Sequence, residues 1–225
     1  MARHRRLHVL NEVHNISMVP LFYHADYETA LGVVRACVEG GARVVEFTNR
    51  GPCALEVFRK IESWCSKHLP EAILGIGSVI DGPTAALFTD AGANFIVSPC
   101  MDEETLRFCH RHKIPYMPGC GTVTEIHQAE ALGVEVCKLF PGEAVGGPGF
   151  VKGVLAPRPW SSLMPTGGVS PTEESLKSWF DAGIVCAGMG SKLITKDILA
   201  TQDFGQLKSK VEDTLKLIQK IKAQR

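Results

Sequence analysis

The chain has 225 residues, 45% of them apolar and 21% charged, a mix that can bury a core and argues against disorder. Lys plus Arg total 24 and Asp plus Glu total 24, so no net field draws the protein to nucleic acid or to an anionic membrane. Small molecules are the expected partners, and with neither a secretory h-region after "MARHRR" nor an apolar run near the ~18 residues of a membrane span, a cytoplasmic protein is expected.

After an N-terminal segment of residues 1–15, short apolar runs alternate with longer amphipathic ones. The predicted order is strand 16–23, helix 26–40, strand 42–49, helix 52–69, strand 72–77, helix 83–92, strand 94–99 and helix 102–112. It continues with strand 114–119, helix 123–132, strand 135–140, strand 162–167, helix 171–182 and strand 183–190. Leu207, Val211, Leu215, Ile218 and Ile221 recur at helical spacing and predict a last helix over 204–225.

Acids after "SPCM" and the sequence "SPTEE", with Ser170 before Pro171, read as helix starts, and Gly40, Gly41, Gly92, Gly133 and Gly183 read as helix ends. Near-continuously apolar strands joined through helices are parallel and covered by those helices. Eight such units fit a single-domain α/β protein, a (β/α)8 TIM barrel over 1–225. A doubly wound open sheet gives the same local pattern. The barrel is favoured because polar residues gather at the strand ends, where a barrel places its chemistry.

Lys138 stands in "VEVCKLFPGEAVGG" among Val134, Val136, Cys137, Leu139 and Phe140. It either snorkels, pairs with a carboxylate, or sits desolvated with a lowered pKa, and the last makes a free amine available for Schiff-base chemistry. In "VVEFTNRG", strand alternation puts Glu46, Thr48 and Arg50 on one face. That set is either a structural ion pair or a proton shuttle beside a carboxylate clamp.

Three Gly-X-Gly-Ser/Thr turns, "GIGS", "GCGT" and "GMGS", follow predicted strands and can each end in a helix-capping hydroxyl. With "PTGGVSP" from the preceding unit, Gly167, Gly168, Gly190 and Ser191 form a candidate phosphate cradle, as loops after the last two strands do in this fold. The eight cysteines contain no C-x-x-C pair and read as free thiols. His110 and His112 do not share a helix face and no H-E-x-x-H is present, so no metal is expected.

"VVEFTNRG", "GIGSVID", "CKLFPGEAVGG", "PTGGVSP" and "GMGSKL" stand in the order and spacing of the KDPG/KHG aldolases, which the chain resembles from about Val19 to Leu193. The resemblance implies a (β/α)8 barrel, a homotrimer, no cofactor, and class I cleavage of 2-keto-3-deoxy-6-phosphogluconate to pyruvate and glyceraldehyde 3-phosphate. The shorter 4-hydroxy-2-oxoglutarate, a galactonate epimer and an unphosphorylated sugar acid are alternative substrates. A non-catalytic phosphosugar-binding barrel is the alternative to an enzyme.

Position by position, the resemblance implies Lys138 as the Schiff-base lysine and Glu46 as the acid/base. Arg50 and Ser78 match the carboxylate site, the latter where a threonine is usual. Pro99 and Phe140 match pocket walls, and Thr166, Gly167, Gly168 and Ser191 match the hydroxyl and phosphate contacts. The sequence departs from the family at Asn49, at Gly51 and in the lengthened stretch "AVGGPGFVKGVLAPRPW".

Overall fold

The computed structural model describes residues 1–224; Arg225, the last residue of the expected final helix, lies outside them. In chain order the elements are α1 (Arg6–Ile16), β1 (Met18–Phe22), α2 (Tyr27–Glu39), β2 (Val44–Thr48), α3 (Ala54–His68), β3 (Ile73–Gly77), α4 (Gly82–Asp90) and β4 (Ile96–Val97). Then follow α5 (Glu103–His112), β5 (Tyr116–Met117), β6 (Gly119–Cys120), α6 (Val123–Ala131), β7 (Cys137–Leu139) and α7 (Gly147–Leu155). The chain finishes with β8 (Leu163–Pro165), α8 (Glu173–Ala182), β9 (Ala187–Met189), α9 (Lys196–Thr201) and α10 (Phe204–Ala223).

All strand pairs are parallel, in one sheet of order β5-β4-β3-β2-β1-β9 and one of order β6-β7-β8. A parallel bridge between Thr166 and Gly188 joins the end of β8 to β9. The predicted strand 114–119 is split into β5 and β6 at Pro118, which has no N–H for a ladder; its carbonyl still accepts from the Lys138 amide at 2.9 Å. The result is a curled parallel sheet wrapped by helices.

Several boundaries move for local reasons. Residues 1–15, expected as a bare segment, contain most of α1, which runs on to Ile16 and ends on Ser17 in the left-handed region (φ 59°), so β1 starts two residues late. Helix α8 is capped by Thr172 rather than Ser170, because the Thr172 hydroxyl accepts from the Ser175 amide and leaves Pro171 outside. Gly183 ends α8 at φ 114° and β9 begins only at Ala187. The lengthened stretch after β7 holds α7, with Pro148 in its first turn.

Alternation along the strands divides the core in two. Outward residues such as Val45, Phe47, Leu74, Ile76, Cys137 and Leu139 pack with the helices. Inward residues at the strand starts, Val19, Val44, Ile73, Phe95 and Val136, form a second cluster with Val9, Leu10 and Val13 of α1. Helix α1 therefore closes the end of the sheet where the strands begin, and the opposite end is left for a site.

Helix α10 spans the distance between those ends. The Lys210 ammonium donates to the Lys192 carbonyl at 2.8 Å beside the loop after β9, and that of Lys222 donates to the Ser17 hydroxyl at 2.6 Å below β1. No helix among the described residues is long and apolar enough to cross a membrane.

Val13 is fully buried in the inner cluster, so Val13→Ala removes two methyl groups from the plug. It should lower unfolding free energy by about 2 kcal/mol. Urea denaturation with an unchanged m-value checks this; an unchanged midpoint would mean that α1 carries little of the inner core's stability.

Candidate active site

Glu46 and Lys138 both point into the sheet and are 1% and 4% exposed. Register explains their depth: Glu46 lies beside Gly75 of β3 and Leu21 of β1, and Lys138 between Gly119 of β6 and Met164 of β8. Lys138 does not snorkel. Its amine sits 4.7 Å from the centroid of the Phe140 ring, two residues on along the same face.

The Glu46 carboxyl is accommodated by a missing side chain. A Cβ at Gly77 would stand 1.7 Å from Glu46 Oε1, so the last glycine of "GIG" is needed for close approach and not only for a turn. The "GIGS" hydroxyl does not cap α4 either: Asp81 does, while Ser78 takes the left-handed region at φ 60°. Thr122 of "GCGT" does cap its helix, with Glu125 completing a capping box. After "GMGS" the next cap is Thr195, which leaves Ser191 uncommitted.

Glu46 Oε2 is buried without a hydrogen-bond partner. Arg50 does not pair with it, and its Nε donates to the Ser78 hydroxyl at 3.3 Å. The structural ion pair is therefore absent, and the two carboxylate-site candidates are joined instead. Burial pushes the Glu46 carboxyl above its ordinary pKa, partly offset by the Lys138 and Arg50 cations. Burial lowers the Lys138 pKa; Glu46 opposes this and Arg50 adds to it. Burial thus shifts both groups towards their neutral forms, and each partly opposes that shift in the other.

Above this pair opens a cavity of about 420 Å³, whose wall includes Arg50, Phe140, Thr166, Gly167, Gly168, Gly190 and Ser191. Lys138 and Glu46 are not on that wall; they precede wall residues Phe140 and Thr48 by two positions and lie one layer deeper. The Thr166 hydroxyl is buried and unpartnered. Pro99 and Ser78 are not on the wall, and the Pro99 carbonyl packs closely on Gly119.

Residues that the sequence reading passed over also line the cavity: Leu21, Tyr23, Lys192 and Lys196. Tyr23 ends the first predicted strand and Lys192 follows "GMGS", and these positions were the available signal. The eight cysteines are free, with only Cys53 and Cys100 exposed. No group of three or more His, Cys, Asp or Glu side chains suited to a metal occurs among the described residues.

A buried amine with a lowered pKa is a cost to the fold at neutral pH. The native state binds fewer protons at Lys138 than the unfolded state does, so stability rises as pH climbs from the lowered folded pKa towards the ordinary lysine range. Lys138→Met should therefore raise Tm at pH 7, with a gain that shrinks towards pH 10. Thermal unfolding across that range checks it, and a loss of stability at pH 7 would contradict the desolvation argument.

The family model "KDPG and KHG aldolase" matches residues 9–210. The KHG/KDPG aldolase of Escherichia coli (strain K12) is 35% identical over 194 residues, covering 84% of this chain and 86% of that protein. The 2-dehydro-3-deoxy-phosphogluconate aldolase of Dickeya dadantii (strain 3937) is 34% identical, with the same coverage of both chains. The crystal structure of the 2-keto-3-deoxy-6-phosphogluconate aldolase of Zymomonas mobilis ZM4 with 3-phosphoglycerate superposes with a TM-score of 0.79 at 26% identity, covering 92% of this chain and 94% of that one. With a buried lysine and glutamate under a glycine-lined cavity, and a family model spanning most of its length, the chain belongs to the KDPG/KHG aldolase family and is an aldehyde-lyase of that type.

Proposed function

We propose that the curled sheet closes into a single-domain (β/α)8 barrel and that this site cleaves 2-keto-3-deoxy-6-phosphogluconate to pyruvate and glyceraldehyde 3-phosphate through a Schiff base on Lys138. The Thr166–Gly188 bridge and the continuity of β5 with β6 support closure. The observation that carries the chemistry is a desolvated amine, its pKa lowered, one layer below a cavity that Arg50 enters.

In this reading the substrate carboxylate sits on Arg50 and Ser78, which presents the C2 ketone to Lys138. The amine adds to C2 and forms a carbinolamine. Glu46 gives a proton to the departing hydroxyl, water leaves, and a protonated imine remains. Glu46, now ionised, takes the C4 hydroxyl proton as the C3–C4 bond breaks. The bond electrons pass to the iminium nitrogen as an enamine, and the C4 fragment leaves as the aldehyde. Protonation at C3 and addition of water to the imine release pyruvate and restore the amine. The unpartnered Glu46 Oε2 supports this role, because a carboxyl that exchanges protons with substrate needs a free oxygen.

The shorter 4-hydroxy-2-oxoglutarate has the same reacting half and would give pyruvate and glyoxylate by the same steps. The homotrimer is proposed for this chain as well. Exposed Ile80 and Leu87 on and beside α4 support an apolar contact, and sedimentation equilibrium giving three chains per particle would bear it out.

Incubation with pyruvate and borohydride should add one reduced adduct to Lys138 and none to Lys138→Met. No mass gain, or equal labelling of the variant, overturns the reading. Arg50→Met removes a cation that lowers the Lys138 pKa, so the pH at which trapping accelerates should move up. Glu46→Gln removes a carboxylate that raises that pKa, so the limb should move down while turnover falls by about 10^2 or more. Limbs that do not move would place the titration elsewhere.

A further inference from the structure

Three charged residues line the cavity, Arg50, Lys192 and Lys196, and all three are cations. Arg50 leans towards Ser78 after β3, and the lysines lie in the loop after β9 and at the start of α9. The wall is therefore positive in two places. An anion with one charged end would use only one of them.

The loop that carries Lys192 is held firmly. The amides of Leu193 and Ile194 both donate to the Gly190 carbonyl at 2.9 Å, and the Lys192 carbonyl accepts from Lys210. With those bonds made, the amides of Gly168, Ser191 and Lys192, none of them in a strand or helix, have no backbone acceptor among the described residues. They can meet an anion, but they are neutral donors and would also accept a hydroxyl. Glu143 weakens them further, because a Cβ at Gly168 would lie 2.9 Å from its carboxylate oxygen. Something must offset that negative charge.

Neither Lys192 nor Lys196 forms an ion pair within 4.0 Å among the described residues. Both ammonium groups are free to reach across the glycines. We propose that Lys192 and Lys196 are specificity-determining residues that read the charge of the substrate's distal phosphate. The enzyme then favours a phosphorylated keto acid over an unphosphorylated one with the same reacting half. The inference rests on the aldolase reading above and deepens it, since these loop amides position the phosphate and the two lysines make its charge count.

The test compares kcat/KM for 2-keto-3-deoxy-6-phosphogluconate with that for the unphosphorylated acid. In the double variant Lys192→Met/Lys196→Met the ratio should fall by at least about tenfold, the loss expected for charge-assisted contacts at an open site. In the wild type the ratio should also decline as pH drops through the phosphate's second ionisation near ~6, and the variant should show a flatter decline. The exposed pair Lys67→Met/Lys152→Met removes the same net charge away from the cavity and should leave the ratio as it was.

An unchanged ratio in the Lys192/Lys196 variant, or an equal fall in the control pair, overturns the proposal. Pyruvate carries no distal phosphate, so borohydride trapping of the wild type tests the underlying chemistry separately. A wild type that traps pyruvate beside a variant that keeps its ratio removes this inference alone. A wild type that fails to trap removes the aldolase reading itself.

Discussion

An amine and a carboxyl are both held out of water inside the curled sheet, each shifting the other's pKa and without a hydrogen bond between them. A tight ion pair would lock both charges and leave neither group free to react. Here burial acts on the two in opposite directions, lowering the Lys138 pKa and raising that of Glu46. The supporting structure serves that arrangement. Gly77 makes room for the carboxyl, Phe140 covers the amine with a ring face, and α1 keeps solvent out from below. Chemistry and stability are in tension at one pair of side chains.

Much of this was legible in the sequence because strand periodicity is simple. Glu46, Thr48 and Arg50 alternate with Val45 and Phe47, and the structure puts the first set inward or at the mouth and the second under helices. Lys138 stood out for the same reason. What periodicity does not carry is the packing across strands. That Gly77 exists for Glu46 is a contact between neighbouring strands, and "GIGS" alone reads as a turn. Lys192 and Lys196 carry no periodicity signal, because only the fold of the β9 loop brings them beside Gly167 and Gly168. Helix α1 was missed because half of its surface plugs the sheet while the rest is polar, so its apolar pattern is short.

The departures from the family pattern acquire physical content in the structure. Gly51 is needed because a Cβ there would lie 2.0 Å from the Tyr23 hydroxyl, and Tyr23 is on the cavity wall. Ser78 retains the hydroxyl that Arg50 uses, in a backbone conformation that a β-branched residue adopts reluctantly. The lengthened stretch after β7 is not a loose insertion, since it folds as α7 and contacts α8 with Val151 and Val154 buried. Gly51 and Ser78 bear on the cavity through Tyr23 and Arg50, and none of the departures replaces the amine or the carboxyl.

Helix α10 ties the two ends of the molecule together. One lysine donates to a carbonyl of the loop after β9, and another, twelve residues later, donates to the turn that joins α1 to the first strand. The helix is a rigid spacer, at about 1.5 Å per residue, so the separation of these anchor points is set by covalent geometry rather than by the sheet. Heat that frays α10 would slacken the loop after β9 and loosen the α1 plug in one event. Thermal inactivation would then be an unfastening at the periphery, complete while the central strands are still paired.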